Sequence, residues 1–186
     1  MNLGFALCGS FCTYDRVFPI MELLSKTHDI TPIFSDAAYT VDSRFGSAAE
    51  HIARAEAVCG VPALHSLSQV EPIGPKRLLD ALIIAPCTGN TLAKLAHSIA
   101  DGPVTMAAKS NLRNGRPIIV AISTNDALAG GAENIGKLLA RKHFYFVPFG
   151  QDDAFGKPTS MVADFSRIPQ TLDLAIEGKQ IQPILL

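Results

Sequence analysis

The segment Asp80–Asp101, DALIIAPCTGNTLAKLAHSIAD, constrains the fold of this chain more than any other. Ala81–Ala85 is a continuous apolar run, which is typical of a strand that is buried on both faces of a sheet. Pro86 is predicted to end that strand, because proline has no N–H to donate to a neighbouring strand. A helix is then predicted from four apolar residues at helical spacing, Leu92, Leu95, Ala96 and Ile99.

The polar turn between this strand and helix is a candidate binding loop. In open α/β sheets, free backbone N–H groups and hydroxyls converge at the carboxyl ends of parallel strands, and ligands bind there. One interpretation is that the turn only caps the helix, with Asn90 or Thr91 as the N-cap. A cap needs one such side chain, whereas this turn has Thr88, Asn90 and Thr91 together with Gly89. That surplus favours a binding loop.

Apolar segments alternate with amphipathic segments along the rest of the chain. Further strands are predicted at Leu3–Cys8, Ile30–Phe34, Pro117–Ile122 and Phe144–Pro148. The alternation predicts an α/β fold: a doubly wound, mostly parallel sheet of five to six strands, Rossmann- or flavodoxin-like, with helices on both faces. Residues 1–186 are predicted to form one domain, in which the polar segment 150–162 is a loop over the site or at a subunit contact.

Two helices carry specific expectations. Pro19 should lie within about the first turn of the helix that follows the first strand, because a deeper proline would remove a backbone hydrogen bond. A second helix is predicted at Ser47–Cys59, with His51 exposed. Its inward face is predicted to carry Ala49, Ile52, Ala53 and Val58.

Polar clusters follow four of the predicted strands: Gly9-Ser10, Ser35, Thr88 to Thr91, and Ser123 to Asp126. Taken alone, Ser35 fits an ordinary serine in a turn better than a hydroxyl that binds an anion. Four clusters on one edge of a sheet predict a cleft, and its most natural occupant is a phosphate-bearing ligand with a planar, polar-edged ring. The chain lacks G-x-G-x-x-G, so the sequence carries no dinucleotide fingerprint.

Charge and hydropathy exclude several classes of partner. The net charge of −1 gives no electrostatic basis for binding nucleic acid or an anionic membrane. No apolar run reaches the length of a membrane span, and no basic flank precedes the apolar residues of the N-terminus, so the cytoplasm is predicted. The four cysteines show neither CxxC nor zinc-type Cys/His spacing, and no metal site is predicted.

Three of these features also resemble a known family. APCTGNTLAKLAHSIAD, the loop CGSFCTY and Ser35 are similar to motifs of the homo-oligomeric flavin-containing cysteine decarboxylases and their flavoprotein relatives. The resemblance implies an FMN site in which Gly9, Ser10 and Ser35 hold the phosphate. It also implies assembly into trimers or their multiples. The other residues that it implies for the cofactor are Phe11, Cys87, Thr88, Asn90, Thr91 and Ser123, of which Thr88, Asn90 and Thr91 face the ribityl chain and the ring.

A closer resemblance is to one branch of that family. It rests on SRFG, EPIGPK, MAAKSNLRNGRP, ISTNDAL and VPFGQDDAFGKPTSMVA. That branch implies one subunit of an oxidoreductase that converts a dihydropyridine dicarboxylate into pyridine-2,6-dicarboxylate for a bacterial spore. The resemblance further implies a partner subunit that binds the nicotinamide cofactor NAD(P).

The chain departs from the decarboxylases at two motifs. His65 takes a place comparable to the family's histidine, but EPIGPK separates it from the signature strand, and ISTND replaces Pro-x-Met-Asn. Cysteine-peptide decarboxylation is therefore disfavoured. Ser123 stands where flavin prenyltransferases carry an arginine, which disfavours a prenyl phosphate. The alternatives are a stand-alone FMN-dependent decarboxylase or prenyltransferase-like enzyme, or a non-catalytic scaffold subunit.

A dicarboxylate substrate requires cationic or N–H donors near the flavin. The candidates for substrate binding are Arg44, Arg113 and Lys157, with Lys109 as a further cation; each is alternatively a solvated surface charge. Asn125 and Asp126 are the candidate catalytic residues, placed to orient or deprotonate the substrate. In the alternative interpretation, the two residues only form the polar start of a helix that follows a strand.

Overall fold

Seven strands and eight helices make up the structure, a computed structural model that describes residues 1–186. The strands are β1 (Asn2–Leu7), β2 (Asp29–Phe34), β3 (Ala81–Cys87), β4 (Ile118–Thr124), β5 (Phe144–Phe146), β6 (Phe149–Asp153) and β7 (Lys157–Ala163). The helices are α1 (Tyr14–Ser25), α2 (Asp36–Thr40), α3 (Ala48–Cys59), α4 (Leu67–Val70), α5 (Gly89–Ala96), α6 (Pro103–Arg113), α7 (Ala132–Leu139) and α8 (Ile168–Ile176).

All seven strands belong to one sheet, in the order β2-β1-β3-β4-β7-β6, with β5 also paired to β4. The pairs among β1 to β5 are parallel, whereas β7 runs antiparallel to both β4 and β6. Every residue of β3 is buried, as expected of a central strand covered on both faces. The predicted doubly wound, mostly parallel sheet is confirmed, and it has seven strands rather than five or six.

The two extra strands arise from the segment predicted as a loop. Residues 149–163 form the antiparallel hairpin β6–β7, and β7 pairs with the end of β4 through Ser123 opposite Val162. Its tip is closed by Asp153, whose carboxylate accepts hydrogen bonds from the backbone N–H groups of Phe155 and Gly156. Residues 151–158 of the hairpin are all exposed, so its sequence lacks the apolar alternation that predicts strands.

Pro86 does not end β3. The strand continues to Cys87, because the ladder to β4 shifts register between Ile84 and Cys87, where two residues of β3 oppose the single residue Ala121. A bulge of this kind accommodates a proline, since the extra residue takes no part in the ladder. The strand therefore ends two residues later than predicted, directly before Thr88.

Pro19 lies deeper in its helix than predicted. A short 3₁₀ turn, Phe11–Thr13, precedes α1, so Pro19 falls in the second turn of the α-helix. Its ring removes the N–H that would bond the carbonyl of Asp15. Both residues are exposed, so water can serve that carbonyl.

The buried face of α3 differs from the predicted one. Ala48, His51 and Ala55 face inward, whereas Ala49 and Ala53 are exposed, and Ile52 and Val58 are half-buried. His51 is only 8% exposed, so its predicted exposure is wrong. The Tyr14 ring of α1 contacts the imidazole edge-on, with ring centroids 4.7 Å apart. The prediction placed apolar residues inside, and because His51 is polar, it assigned the buried face of α3 to the neighbouring positions instead.

No helix of the structure combines the length and the apolar character needed to cross a membrane.

The central sheet generates a stability prediction. Ile83 in β3 is 0% exposed, and replacing it with alanine should lower the free energy of unfolding by about 2–5 kcal/mol, because a cavity opens in the core. Ile99→Ala is the matched control: Ile99 is 47% exposed, and its loss should cost less than about 1 kcal/mol. Urea denaturation measures both variants. Equal effects would show that β3 is not the centre of the core.

Candidate functional site

The carboxyl ends of β1, β3 and β4 lie side by side, because these strands are neighbours and parallel. Two adjoining cavities open at this edge, with volumes of about 690 Å³ and about 400 Å³. Gly9, Thr88 and Asn90 line both. The larger volume lies within the range of about 300–1,000 Å³ that is usual for small-molecule sites.

Four parts of the chain enclose the larger cavity. The first strand's loop and α1 contribute Ser10, Cys12 and Arg16, and the turn after β3 contributes Thr88 to Asn90. The remaining walls are the end of β4, Ser123 to Asp126, and the hairpin β6–β7, which supplies Asp152, Lys157, Ser160, Met161 and Val162.

The smaller cavity lies on the β2 side of the same edge. Ser35 and Asp36 form one wall, and Thr91 and Lys94 of α5 form another. The start of α6 closes it with Gly102, Pro103, Val104 and Thr105.

A direct hydrogen bond joins the loops of β1 and β4. The hydroxyl oxygens of Ser10 and Ser123 are 2.7 Å apart, and Ser123 is only 7% exposed. The bond bridges the ends of two strands that are separated by β3. It therefore fixes the floor of the larger cavity on either side of the turn after β3.

The turn after β3 is held by Thr88, which is the N-cap of α5 in place of the predicted Asn90 or Thr91. The Thr88 hydroxyl accepts a hydrogen bond from the backbone N–H of Thr91, with the two atoms 3.4 Å apart. The Thr91 hydroxyl is 3.3 Å from the sulfur of Cys8, to which it donates. Thr88 and Thr91 are thus tied into the structure, and the Asn90 side chain makes no hydrogen bond to another protein group.

Gly89 allows Asp126 to approach this turn. A Cβ at residue 89 would lie 2.6 Å from the Asp126 Oδ1 and 2.7 Å from the Thr124 Oγ1. The Thr124 hydroxyl donates to that same Oδ1 at 2.5 Å, which orients the carboxylate. Only glycine leaves room for the carboxylate at this position.

The structure gathers most of the predicted site residues at this edge. Around the larger cavity lie Gly9, Ser10, Thr88, Asn90, Ser123, Asn125, Asp126 and Lys157. Around the smaller one lie Gly9, Ser35, Thr88, Asn90 and Thr91. Ser10 and Ser35, predicted to hold one phosphate together, line different cavities and have Gly9 between them.

Two predicted cofactor residues line neither cavity. Cys87 is fully buried at the end of β3, where burial raises the pKa of its thiol well above the usual value. Phe11 packs against Tyr14, with ring centroids 5.6 Å apart. Both support the neighbouring loops and are not exposed to either cavity.

Three cations that were predicted to bind the substrate also lie outside the two cavities at the sheet edge. Arg44 is stacked over the ring of Phe45, with 4.8 Å between guanidinium carbon and ring centroid. Arg113 is exposed in the last turn of α6, about 15 Å along the helix from the first turn, which lines the smaller cavity. Lys109 lines a separate apolar cavity of about 230 Å³ between α5 and α6. His65 stacks on Tyr39 with centroids 3.8 Å apart, and it lines neither cavity at the sheet edge.

A model of the family described as Flavoprotein matches residues 1–159. The chain belongs to the Flavoprotein family. It is similar to the B subunit of dipicolinate synthase from Bacillus subtilis (strain 168), with 45% identity over 186 residues, which are 100% of this chain and 93% of that protein. The crystal structure of the dipicolinate synthase B subunit from Bacillus halodurans C is 44% identical, covers 100% of this chain and 95% of that one, and superposes with a TM-score of 0.91.

A more distant structural neighbour is SpaF, whose crystal structure is described as that of an FMN-dependent cysteine decarboxylase. It is 23% identical to this chain, covers 94% of this chain and 97% of its own, and superposes with a TM-score of 0.69. At that identity the likeness shows the shared fold.

The donors at the edge fit a hydroxyl-rich, phosphate-bearing group such as FMN. They are hydroxyls, amides and the free N–H groups at the start of α5. Ser35 caps α2 by accepting from the N–H of Ala38 at 3.2 Å, and its own O–H can still donate. One residue departs from the fit: Asp36 places a carboxylate in the smaller cavity, and this charge repels a phosphate.

Several lining residues were missed by sequence reasoning, chiefly Cys12, Arg16 and Asp36. A signal existed for two of them. Cys12 and Arg16 are four residues apart, directly after the loop of β1, and this spacing places both on one side of a helix start. The Arg16 side chain makes no ion pair or hydrogen bond within the chain.

The contact between Gly89 and Asp126 generates a prediction. Gly89→Ala should lower the free energy of unfolding by about 1–3 kcal/mol, because the new Cβ displaces the Asp126 carboxylate and the Thr124 hydroxyl. Gly136→Ala in α7 is the matched control: no atom lies within 4 Å of its Cβ, so alanine should be neutral or stabilise by about 0.5–1 kcal/mol. Chemical denaturation measures both. If Gly89→Ala left the free energy of unfolding unchanged, the close approach of the Asp126 carboxylate to residue 89 would be contradicted.

Proposed function

We propose that this chain is the FMN-binding B subunit of a dipicolinate synthase. Together with the A subunit of that enzyme, which binds NAD(P), it oxidises dihydrodipicolinate to pyridine-2,6-dicarboxylate in the cytoplasm of a sporulating cell. The observation that carries the proposal is 45% identity over the whole chain to the dipicolinate synthase B subunit of Bacillus subtilis. The cleft of hydroxyls and amides at the carboxyl edge supports the flavin part of it.

FMN, when bound, would supply the acceptor for the hydride that the dihydropyridine ring loses on becoming aromatic. The chain's own residues would bind and orient. The backbone N–H of Gly9, the hydroxyl of Ser10 and the side chain of Asn90 line the two cavities and are available to hold the cofactor. The role of the protein is then to fix the distance and orientation between cofactor and substrate.

Asp126 and Asn125 are the groups that we assign to act on the substrate. The Asp126 Oδ1 is engaged by the Thr124 hydroxyl, so its Oδ2 is left to accept an N–H or a proton from the ring. Asn125 lines the same wall of the larger cavity and offers a neutral donor and acceptor. The pair would position the ring and hold its proton while the hydride leaves.

Flavin titration of the purified chain, with and without the partner subunit, tests this proposal. FMN should bind, and Ser10→Ala and Asn90→Ala should each weaken binding about tenfold, as expected for the loss of one hydrogen bond to a charged or strongly polar group. Ser25→Ala is the matched control, because Ser25 bonds the Glu22 carbonyl at the far end of α1.

With the partner subunit present, the substrate should bleach the bound flavin, and the same two variants should slow that bleaching. If the chain bound no FMN, neither alone nor with the partner subunit, the cofactor assignment would be overturned. Activity of the lone chain on a prenyl phosphate or a cysteinyl peptide would replace the proposed reaction with one of the alternatives.

We also propose that the chain assembles into a homo-oligomer, as the sequence resemblance implies, and that the hairpin β6–β7 takes part in the contact. Phe155 at its tip is 99% exposed, the most exposed large apolar side chain of the molecule. Phe155→Ser should shift the sedimenting species towards the monomer, because an interface loses an aromatic anchor. Leu139→Ser, at a position that is 46% exposed on α7, is the control. If the wild-type chain sedimented as a monomer, the proposed homo-oligomer would be wrong.

A further inference from the structure

Arg16 differs from every other cation at the sheet edge. Lys157 of the larger cavity pairs with Asp152 at 2.7 Å, and Lys94 of the smaller cavity pairs with Asp101 at 2.9 Å. Arg16 lines the larger cavity and has no carboxylate within 4.0 Å of its guanidinium. The larger cavity therefore contains one guanidinium group that forms no ion pair within the chain.

The Arg16 side chain is held in place from behind. Its guanidinium carbon lies 5.1 Å from the centroid of the Phe165 ring, and Phe165 is only 2% exposed. A guanidinium over a buried aromatic ring is attracted by the face of the ring and loses less freedom on binding than a loose surface arginine. Its five N–H donors stay available, because stacking uses none of them.

A second cation faces the same space from the hairpin. Lys157 and Cys12 both line the larger cavity, so the hairpin and the loop that leads into α1 border the same space. The Lys157 ion pair is exposed, with 60% of its side chain accessible, and exposed pairs exchange partners at little cost. A ligand carboxylate can therefore take the place of Asp152.

The end of β4 brings a negative charge to the same cavity. Asp126 lies at the end of β4 beside Asn125, and its carboxylate repels another carboxylate. Within this cavity, a ligand with two carboxylates and a ring N–H is thus attracted through its carboxylates to Arg16 and Lys157, and through its ring N–H to Asp126. This arrangement selects a direction as well as a charge.

We propose that Arg16 is the receptor for one carboxylate of a planar dicarboxylate in the larger cavity, and that Lys157 receives the second. The inference rests on the proposed function, since it assigns the substrate end of that same site. In the role of substrate receptor, Arg16 replaces the predicted Arg44 and Arg113, which do not line the larger cavity, and Lys157 keeps its predicted role.

Calorimetric titration in metal-free buffer, with FMN present, tests the proposal on the full chain. The probes are pyridine-2,6-dicarboxylate and pyridine-2-carboxylate, and wild type should bind the first more tightly. Arg16→Gln should weaken the dicarboxylate about 10- to 100-fold, the loss expected for a charge-assisted bidentate contact, and should reduce the preference over the monocarboxylate. Arg16→Lys should recover part of the loss. Arg113→Gln, an exposed arginine outside both cavities, should match wild type.

Alkylation of Cys12 gives a second readout. Cys12 is the one exposed cysteine and lines the same cavity, whereas burial raises the pKa of the Cys8 thiol to about 11 and that of Cys59 to about 12. Pyridine-2,6-dicarboxylate should slow labelling by a maleimide in wild type and Arg113→Gln, and far less in Arg16→Gln. Thermal unfolding and FMN affinity establish that Arg16→Gln is folded.

The outcomes separate this inference from the proposed function. If FMN binds while Arg16→Gln keeps wild-type affinity for the dicarboxylate, the role of Arg16 is wrong and the flavin assignment stands. If wild type does not bind pyridine-2,6-dicarboxylate, the receptor is wrong. If the dicarboxylate binds through Arg16 in a chain that takes up no FMN, the receptor stands and the flavin assignment is wrong.

Discussion

The burial of β3 between β1 and β4 is the constraint on which the rest of the structure depends. Every residue of this strand is buried, and both neighbours run parallel to it. Three parallel strands side by side must release their chains at one edge, so three loops meet there. The Ser10–Ser123 hydrogen bond then spans the central turn, and Gly89 lets Asp126 lie against it. The site is a consequence of the sheet order.

Charge divides this edge into regions of different chemistry. Neutral hydroxyls and amides occupy the centre, where both cavities share Gly9, Thr88 and Asn90. Arg16 and Lys157 bring positive charge to the larger cavity, and Asp126 brings a carboxylate to it. Asp36 makes the outer wall of the smaller cavity acidic. A phosphorylated cofactor and an anionic substrate compete less for space when their complementary groups are separated in this way.

Sequence reasoning found the sheet and most of the edge, because apolar runs and polar strand ends are local signals. It placed Ser10, Thr88, Asn90, Ser123 and Asp126 at one edge, and they lie there. It missed what depends on tertiary contacts. The bulge at Pro86 needs the β4 partner, and the inward turn of His51 needs the aromatic rings of α1. The spacing of Cys12 and Arg16 could have pointed to their shared side of a helix start, but the lack of an ion pair at Arg16 could be seen only in the structure.

Amide hydrogen exchange with and without FMN is the measurement that tests the central claim most directly, since it reports which loops the cofactor contacts. The account predicts slower exchange at residues 9–13, 35–38, 88–92 and 123–126 together, with little change in the last turn of α6 or in α8. Protection of only one of these loops, or protection at Arg113 instead, would show that the carboxyl ends of these strands do not form a single flavin site.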